Sequence, residues 1–161
     1  MGAGKTTFLR KFQPNELGFE CIDLDEALAN QLGLHPNRLG EWILQNGFPL
    51  FRDLEKTKIK ELLRHPNKMI IALGGGSLSP EILSLIHNNS EYKLVFLETP
   101  IEVCLARIKN DPNRPLAQIP EGELRKLHEM RLADYLTADL ILNEEERKEI
   151  VTLSSLVHNL D

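Results

Sequence analysis

The sequence predicts an α/β domain in which helices cover both faces of a central parallel sheet. Short apolar runs alternate with amphipathic stretches along the chain, and this alternation is typical of strands that are joined by crossover helices. The length of 161 residues suits one compact domain and leaves little room for a second. We therefore interpret residues 1–161 as a single domain.

The predicted elements follow the hydrophobic pattern. Four apolar runs are predicted strands: 19–22, 69–73, 94–97 and 139–142. Eight amphipathic stretches are predicted helices: 5–12, 25–31, 38–45, 50–63, 80–87, 101–109, 121–136 and 144–158. Ser79-Pro80 and Thr99-Pro100 both place a capping hydroxyl before a proline at the first helical position. The polar stretch 110–120, which contains several prolines, is predicted to be a mobile surface loop.

Charge and hydropathy exclude two broad classes of function. The net charge of −5 argues against general nucleic-acid binding, which requires a basic face. No apolar run approaches the roughly 18 residues that a membrane span needs. We expect a cytoplasmic protein that associates with neither nucleic acid nor membrane.

The chain opens with part of a phosphate-binding motif. The P-loop pattern is G-x-x-x-x-G-K-[ST], and its last three positions match Gly4, Lys5 and Thr6. Lysine in this position reaches the β- and γ-phosphates of a nucleotide, and the hydroxyl that follows it binds Mg²⁺. The predicted ATP contacts are Gly2, Ala3, Gly4, Lys5, Thr6 and Thr7.

These residues predict the three-layer P-loop NTPase fold, with one departure. The strand that normally leads into the loop is missing from the printed chain, so we expect the true start to lie roughly 5–10 residues earlier. The alternative is a glycine-rich tail with a chance match to the motif.

Further polar residues follow the predicted strands and helices. Asp23 and Asp25 lie at the end of the first predicted strand, where ligands bind in parallel α/β sheets. Asp25 either faces the ligand or caps the helix that follows. Arg52 is a candidate clamp for a carboxylate, and Glu55, three residues further along the helix, is placed to hold its guanidinium. The alternative is an exposed ion pair between the two. The glycine run 74–76 exceeds what a simple turn requires.

The order and spacing of these elements resemble the shikimate kinase family, from Gly2 to about Asn143. The resemblance rests on the GKT motif, D-L-D at 23–25, G-E at 40–41 with F-R-D-L-E at 51–55, and G-G-G at 74–76. It continues with R-P-L at 114–116 and R-L-A-D-Y at 131–135. Ala133 stands where the family has proline and leaves the predicted helix unbroken.

The resemblance implies a role for each matching residue. Arg52 and Arg131 hold the shikimate carboxylate, and the Gly75 N–H contacts the substrate. Asp25 orients the acceptor hydroxyl and takes its proton, while Asp23 lies near the Mg²⁺ shell. Arg114, on a lid at about 110–120, covers the phosphates, and Arg107 stacks on the adenine.

The implied activity is transfer of the γ-phosphoryl group from ATP to the 3-hydroxyl of shikimate, with Mg²⁺, in a monomeric enzyme. One alternative is a related small-molecule kinase such as a gluconate kinase, although paired arginines suit an acceptor with a carboxylate better. Another is a non-catalytic nucleotide-binding remnant, because a P-loop without the strand beneath it is expected to hold ATP poorly.

Overall fold

The computed structural model describes residues 2–109 and 118–160 as an α/β arrangement. The strands are β1 (Phe19–Asp23), β2 (Lys68–Ala72), β3 (Val95–Leu97) and β4 (Leu140–Leu142). The helices in these ranges are α1 (Lys5–Leu9), α2 (Leu24–Gln31), α3 (Leu39–Asn46), α4 (Phe48–Leu63), α5 (Pro80–His87), α6 (Ile101–Lys109), α7 (Glu121–Tyr135), α8 (Glu144–Glu149) and α9 (Leu153–His158). Among the residues described, no helix is both long and apolar enough to cross a membrane.

All the strand pairings found are parallel, which confirms the predicted fold class. β1 pairs with β2 from Phe19 opposite Lys68 to Asp23 opposite Ala72. β3 pairs with β4 in the same way, although over only three residues of each strand. Within the described ranges the strands form two separate pairs, and no ladder joins β2 to β3.

Helices cover the strands on both faces, and each face has its own apolar cluster. The first cluster contains buried residues of α2, α3, α4 and α5, with Ile71 and Leu94 packed against it. The second contains residues of α1 and α9, Phe12, Ile150 and the ends of β3 and β4, with Ile70 and Val95 packed against it. Neighbouring residues of a strand point to opposite faces of the sheet. Ile70 and Ile71 pack against different clusters, and so do Leu94 and Val95, so both strand pairs lie between the same two layers of helices.

Two of the predicted helices are wrong in their extent. The helix predicted over 5–12 ends at Leu9 and is followed by single turns that lead to Pro14. Because the residue before a proline disfavours helical backbone, the helix does not continue through this segment. The helix predicted over 144–158 is two helices. Ile150 is extended at the break, and Thr152 starts α9 with a capping box to Ser155, so local hydrogen bonds there compete with a continuous helix.

Candidate active site

A cleft of about 730 Å³ opens where β1 and β2 end. The segment Gly2–Thr7 lines one side of it, and Asp23, Asp25 and Gly74 lie at the strand ends. Arg107 of α6 and Arg147 of α8 also line the cleft. The structure therefore brings the predicted phosphate loop and the two predicted carboxylates to one opening at the carboxyl edge of the strands, where parallel sheets bind ligands.

The phosphate segment packs tightly against α6. Gly2 has a φ of 64°, and a Cβ at this position would lie 2.8 Å from the carbonyl oxygen of Cys104. Only glycine therefore fits here without displacing the backbone of α6. Arg107 donates from Nη1 to the Gly2 carbonyl at 2.8 Å and from Nη2 to Glu144 at 3.2 Å. Its guanidinium thus braces the loop, whereas its predicted stacking on adenine stays a prediction.

Thr6 and Asp23 meet at the base of the cleft. The Thr6 hydroxyl donates to Asp23 Oδ2 at 2.5 Å, while Asp23 Oδ1 accepts from the backbone N–H of Asp25 at 3.0 Å and of Glu26 at 3.4 Å. Asp23 is therefore the N-cap of α2. A hydroxyl and one carboxylate are hard oxygen donors, and they fit Mg²⁺, which keeps several waters and usually takes one or two carboxylates together with nucleotide phosphates.

Asp25 is left to face the cleft, because Asp23 takes the capping role that was the alternative for Asp25. The Asp25 side chain is open to the cleft, yet the cleft walls remove much of its bulk water. This burial raises the pKa of the carboxyl group, and the neighbouring carboxylates of Asp23 and Glu55 raise it further. Lys5 and Arg52 oppose the shift. A carboxylate with a raised pKa is a stronger proton acceptor than an ordinary aspartate.

Arg52 and Glu55 of α4 form an ion pair in which Glu55 is buried and Arg52 is half-buried, so it is not the exposed pair that was the alternative. Glu55 is only 1% exposed, and its Oε2 accepts a short hydrogen bond from Arg52 Nη1. Its other oxygen, Oε1, accepts from the Ser77 hydroxyl at 2.7 Å. Both carboxylate oxygens are thus satisfied, as a buried charge requires. The Arg52 guanidinium also lies 5.4 Å from the ring centre of Phe51, so its position is fixed on two sides.

The glycine run brings the two predicted carboxylate-binding arginines together. A Cβ on Gly76 would lie 2.6 Å from Cζ of Arg52 and 2.7 Å from Nη2 of Arg131, so both guanidinium groups converge on this glycine. Tyr135 donates a short hydrogen bond to the Gly75 carbonyl, and its ring stacks on Phe96 at 5.1 Å. Burial lowers the pKa of Arg131, and its hydrogen bond to Tyr135 opposes this shift. Two cations at one surface form a site for a carboxylate.

Helix α7 carries Arg131 and Tyr135 and continues without a break through Ala133. The predicted consequence of replacing the family proline is therefore confirmed. The predicted lid residue Arg114 lies outside the described residues, as does most of the segment 110–120.

Sequence reasoning missed two residues of this region. Ser77 immediately follows the glycine run, and that position beside the predicted substrate loop was a usable signal. Arg147 is only 9% exposed although it stands in the charged run E-E-E-R-K-E, which is typical of a solvated helix. Nothing in the local pattern distinguishes it from its exposed neighbours.

Comparison with known proteins agrees with this geometry. The family model described as shikimate kinase matches residues 1–160. A shikimate kinase of Nostoc sp. is 33% identical, with 92% of this chain and 81% of the relative covered. One of Persephonella marina is 30% identical, with 90% and 85% covered.

Solved structures lead to the same family. A shikimate kinase from Acinetobacter baumannii, solved in complex with shikimate, superposes with a TM-score of 0.76 at 28% identity, covering 98% of this chain and 87% of that one. The enzyme from Aquifex aeolicus gives a TM-score of 0.72 at 29% identity, covering 99% and 91%. Together with the match of the family model to residues 1–160, these superpositions show that the chain belongs to the shikimate kinase family.

Proposed function

We propose that the protein transfers the γ-phosphoryl group of ATP to the 3-hydroxyl of shikimate. The observation that carries the proposal is the convergence of Arg52 and Arg131 on Gly76, in a structure where Asp25 and the phosphate loop share a cleft. Glu55 links the two regions, because it binds Arg52 directly and contributes to the pKa of Asp25. One end of this region suits phosphates, and the other suits an acceptor that carries a carboxylate.

At the phosphate end, the backbone of residues 2–7 and the Lys5 ammonium group hold the β- and γ-phosphates. Thr6 and Asp23 would hold Mg²⁺, with Asp23 acting through a bound water. When bound, the metal neutralises charge on the phosphate oxygens of the transferring group. Asp23 also fixes the start of α2, so the metal site and Asp25 are positioned by the same side chain.

At the acceptor end, Arg52 and Arg131 hold the shikimate carboxylate and the Gly75 N–H contacts the ring substituents. The acceptor oxygen forms a bond to the γ-phosphorus while the bond between that phosphorus and the oxygen bridging to ADP breaks. The hydroxyl proton passes to Asp25, whose raised pKa favours this transfer. Catalysis is therefore mainly alignment and charge neutralisation, as in other phosphoryl transfers.

The proposal also includes the predicted lid. Arg114 closes over the phosphates and excludes water, which would otherwise compete as acceptor. Arg107 stacks on the adenine from the position where it braces Gly2. We further propose that residues 1–161 act as a single domain in a cytoplasmic monomer, and light scattering of the purified chain tests the oligomeric state.

The test is an assay of ADP release with ATP, Mg²⁺ and either shikimate or a panel of sugar acids that includes gluconate. We expect release that depends on shikimate and yields shikimate 3-phosphate. Release with gluconate but not with shikimate would favour the related sugar-acid kinase. If the folded chain binds MgADP but phosphorylates neither acceptor, the proposed function is wrong and a nucleotide-binding role replaces it.

A further inference from the structure

The guanidinium group of Arg147 packs against the phosphate loop. Arg147 is on α8, far along the chain from the loop, yet its Nη1 donates to the Ala3 carbonyl at 2.8 Å. Its other donors reach the carbonyls of Glu98 at 2.6 Å and Asn143 at 3.1 Å and the Thr99 hydroxyl at 2.9 Å. A nearly buried arginine therefore ties the loop to the end of β3 and to the start of its own helix.

All four of these acceptors are neutral oxygens. A buried cation usually has a carboxylate partner, because removing it from water is costly and an opposite charge offsets that cost. Four neutral acceptors satisfy the donors of the guanidinium fork, and the carboxylates of Glu144 and Glu98 favour its charge through space. One of the four hydrogen bonds goes to the phosphate loop.

The contact with Ala3 has a consequence for the loop's N–H groups. In a trans peptide unit the carbonyl of one residue and the N–H of the next point in opposite directions. Arg147 holds the Ala3 carbonyl, and thereby fixes the direction of the Gly4 N–H. Arg107 holds the Gly2 carbonyl at 2.8 Å and fixes the Ala3 N–H in the same way. The two arginines thus turn two successive N–H groups away from themselves.

The helix that carries Arg147 is itself held in place. Asn143 and Glu146 form a capping box at the start of α8. Lys11, just beyond α1, donates to the carbonyls of Arg147 at 2.6 Å and Ile150 at 3.4 Å. Because α8 is fixed at both ends, the Arg147 side chain can impose an orientation on the loop.

We propose that Arg147 is a positioning residue for nucleotide binding: it orients the Gly4 N–H for the phosphates through the Ala3 carbonyl. The inference rests on the proposed function, because it assumes that residues 2–7 bind a nucleotide. It assigns no contact between Arg147 and the acceptor substrate. Loss of Arg147 should therefore weaken binding of phosphate-bearing nucleotides and leave shikimate binding alone.

The experiment measures the dissociation constants of MgADP, adenosine and shikimate by calorimetry for Arg147→Lys and Arg147→Met. Lysine keeps the charge without the planar fork, and methionine removes the buried charge. We expect the Kd of MgADP to rise about tenfold or more in both variants, with adenosine and shikimate changed less than twofold. The matched control is Arg64→Lys, an exposed arginine at the end of α4, which should leave all three values unchanged.

A folded variant that binds MgADP within twofold of the wild type overturns the proposal, as does an equal loss for shikimate. If neither variant folds, the same three dissociation constants are measured for Thr99→Val, because the Thr99 hydroxyl contacts both Arg147 and the Ala3 carbonyl. The same outcomes then support or overturn the proposal. A wild-type chain that binds MgADP but does not phosphorylate shikimate sinks only the proposed function. A wild-type chain that does not bind MgADP at all sinks both.

Discussion

The phosphate end and the acceptor end of the candidate active site are built in different ways. The phosphate end is a stretch of consecutive residues, 2–7, in which the Gly2 and Ala3 carbonyls accept hydrogen bonds from Arg107 and Arg147. The acceptor end is assembled from separate helices and a glycine turn around the buried carboxylate of Glu55. One end depends on backbone direction, and the other depends on side chains that hold one another.

This difference implies different sensitivities to substitution. At the phosphate end, changes in distant arginines act through the backbone and should alter nucleotide affinity. At the acceptor end, Ser77 binds Glu55 and Glu55 binds Arg52, so a change in one of these side chains should alter the position of the next and hence the proposed binding of shikimate.

Asp25→Asn changes the group between the two ends. We expect kcat to fall by about 10²–10⁴-fold, because the amide cannot accept the hydroxyl proton. Steady-state kinetics should give KM values for ATP and shikimate that change far less than kcat. A variant with near-normal kcat would contradict the role assigned to Asp25.

Gly76→Ala tests whether the two arginines depend on the glycine turn. The new Cβ would occupy space held by Arg52 and Arg131, so both must shift. A displacement of this size costs about 10²-fold in kcat/KM for shikimate, while the Kd of MgADP should stay the same.

The control for this variant is Gly122→Ala in the first turn of α7, where an added Cβ meets nothing within 4 Å. It should leave kcat/KM unchanged and stabilise the helix by about 0.5–1 kcal/mol. Equal kinetics for the Gly76 and Gly122 variants would contradict the proposed convergence on Gly76.

Ser77→Ala removes the hydrogen bond to Glu55 Oε1 and leaves one oxygen of a buried carboxylate without its donor. Glu55 then holds Arg52 less firmly, and we expect KM for shikimate to rise about tenfold, equivalent to about 1.4 kcal/mol, with kcat nearly unchanged. Ser77→Thr retains the hydroxyl and should recover much of the loss.

Ser79→Ala is the matched control, because the Ser79 hydroxyl only caps α5 by accepting from Ile82 N–H at 3.3 Å. It should lower the unfolding free energy by about 0.5–2 kcal/mol and leave KM near the wild-type value. A similar KM in the Ser77 and Ser79 variants would mean that Ser77 has a structural role alone.

The smallest effect concerns stability and pH. Because folding raises the pKa of Asp25, the folded state favours the protonated carboxyl, and ionisation of Asp25 lowers stability as pH rises above the unfolded-state pKa. Asp25→Asn removes this penalty. Denaturant unfolding should therefore find the variant more stable than the wild type at pH 7, with a difference that shrinks as the pH falls and is lost below pH about 4. A difference that does not vary with pH would contradict the raised pKa.

Much of the site was predictable because its residues carry recognisable chemistry in the sequence. Lys5, Thr6 and the carboxylates Asp23 and Asp25 lie in the one cleft that the α/β pattern predicts at the strand ends. The pattern did not distinguish which aspartate caps α2, because both residues are chemically able to do so and only the backbone geometry of β1 and α2 selects Asp23. The break between α8 and α9 was missed for a related reason, since capping hydrogen bonds outweigh a continuous amphipathic pattern.

The fold class, the family and the residue types needed for phosphates, a metal ion and a carboxylate can be predicted from the amino-acid sequence, because they follow from local motifs and their order. Which of these groups touch depends on the tertiary fold. Burial of Glu55 between Arg52 and Ser77, convergence of two arginines on Gly76, and the reach of Arg147 to Ala3 all join residues that are distant in the chain or that look exposed in its local pattern. Such contacts depend on how the helices pack around the paired strands, and no local pattern of hydropathy or charge encodes that packing.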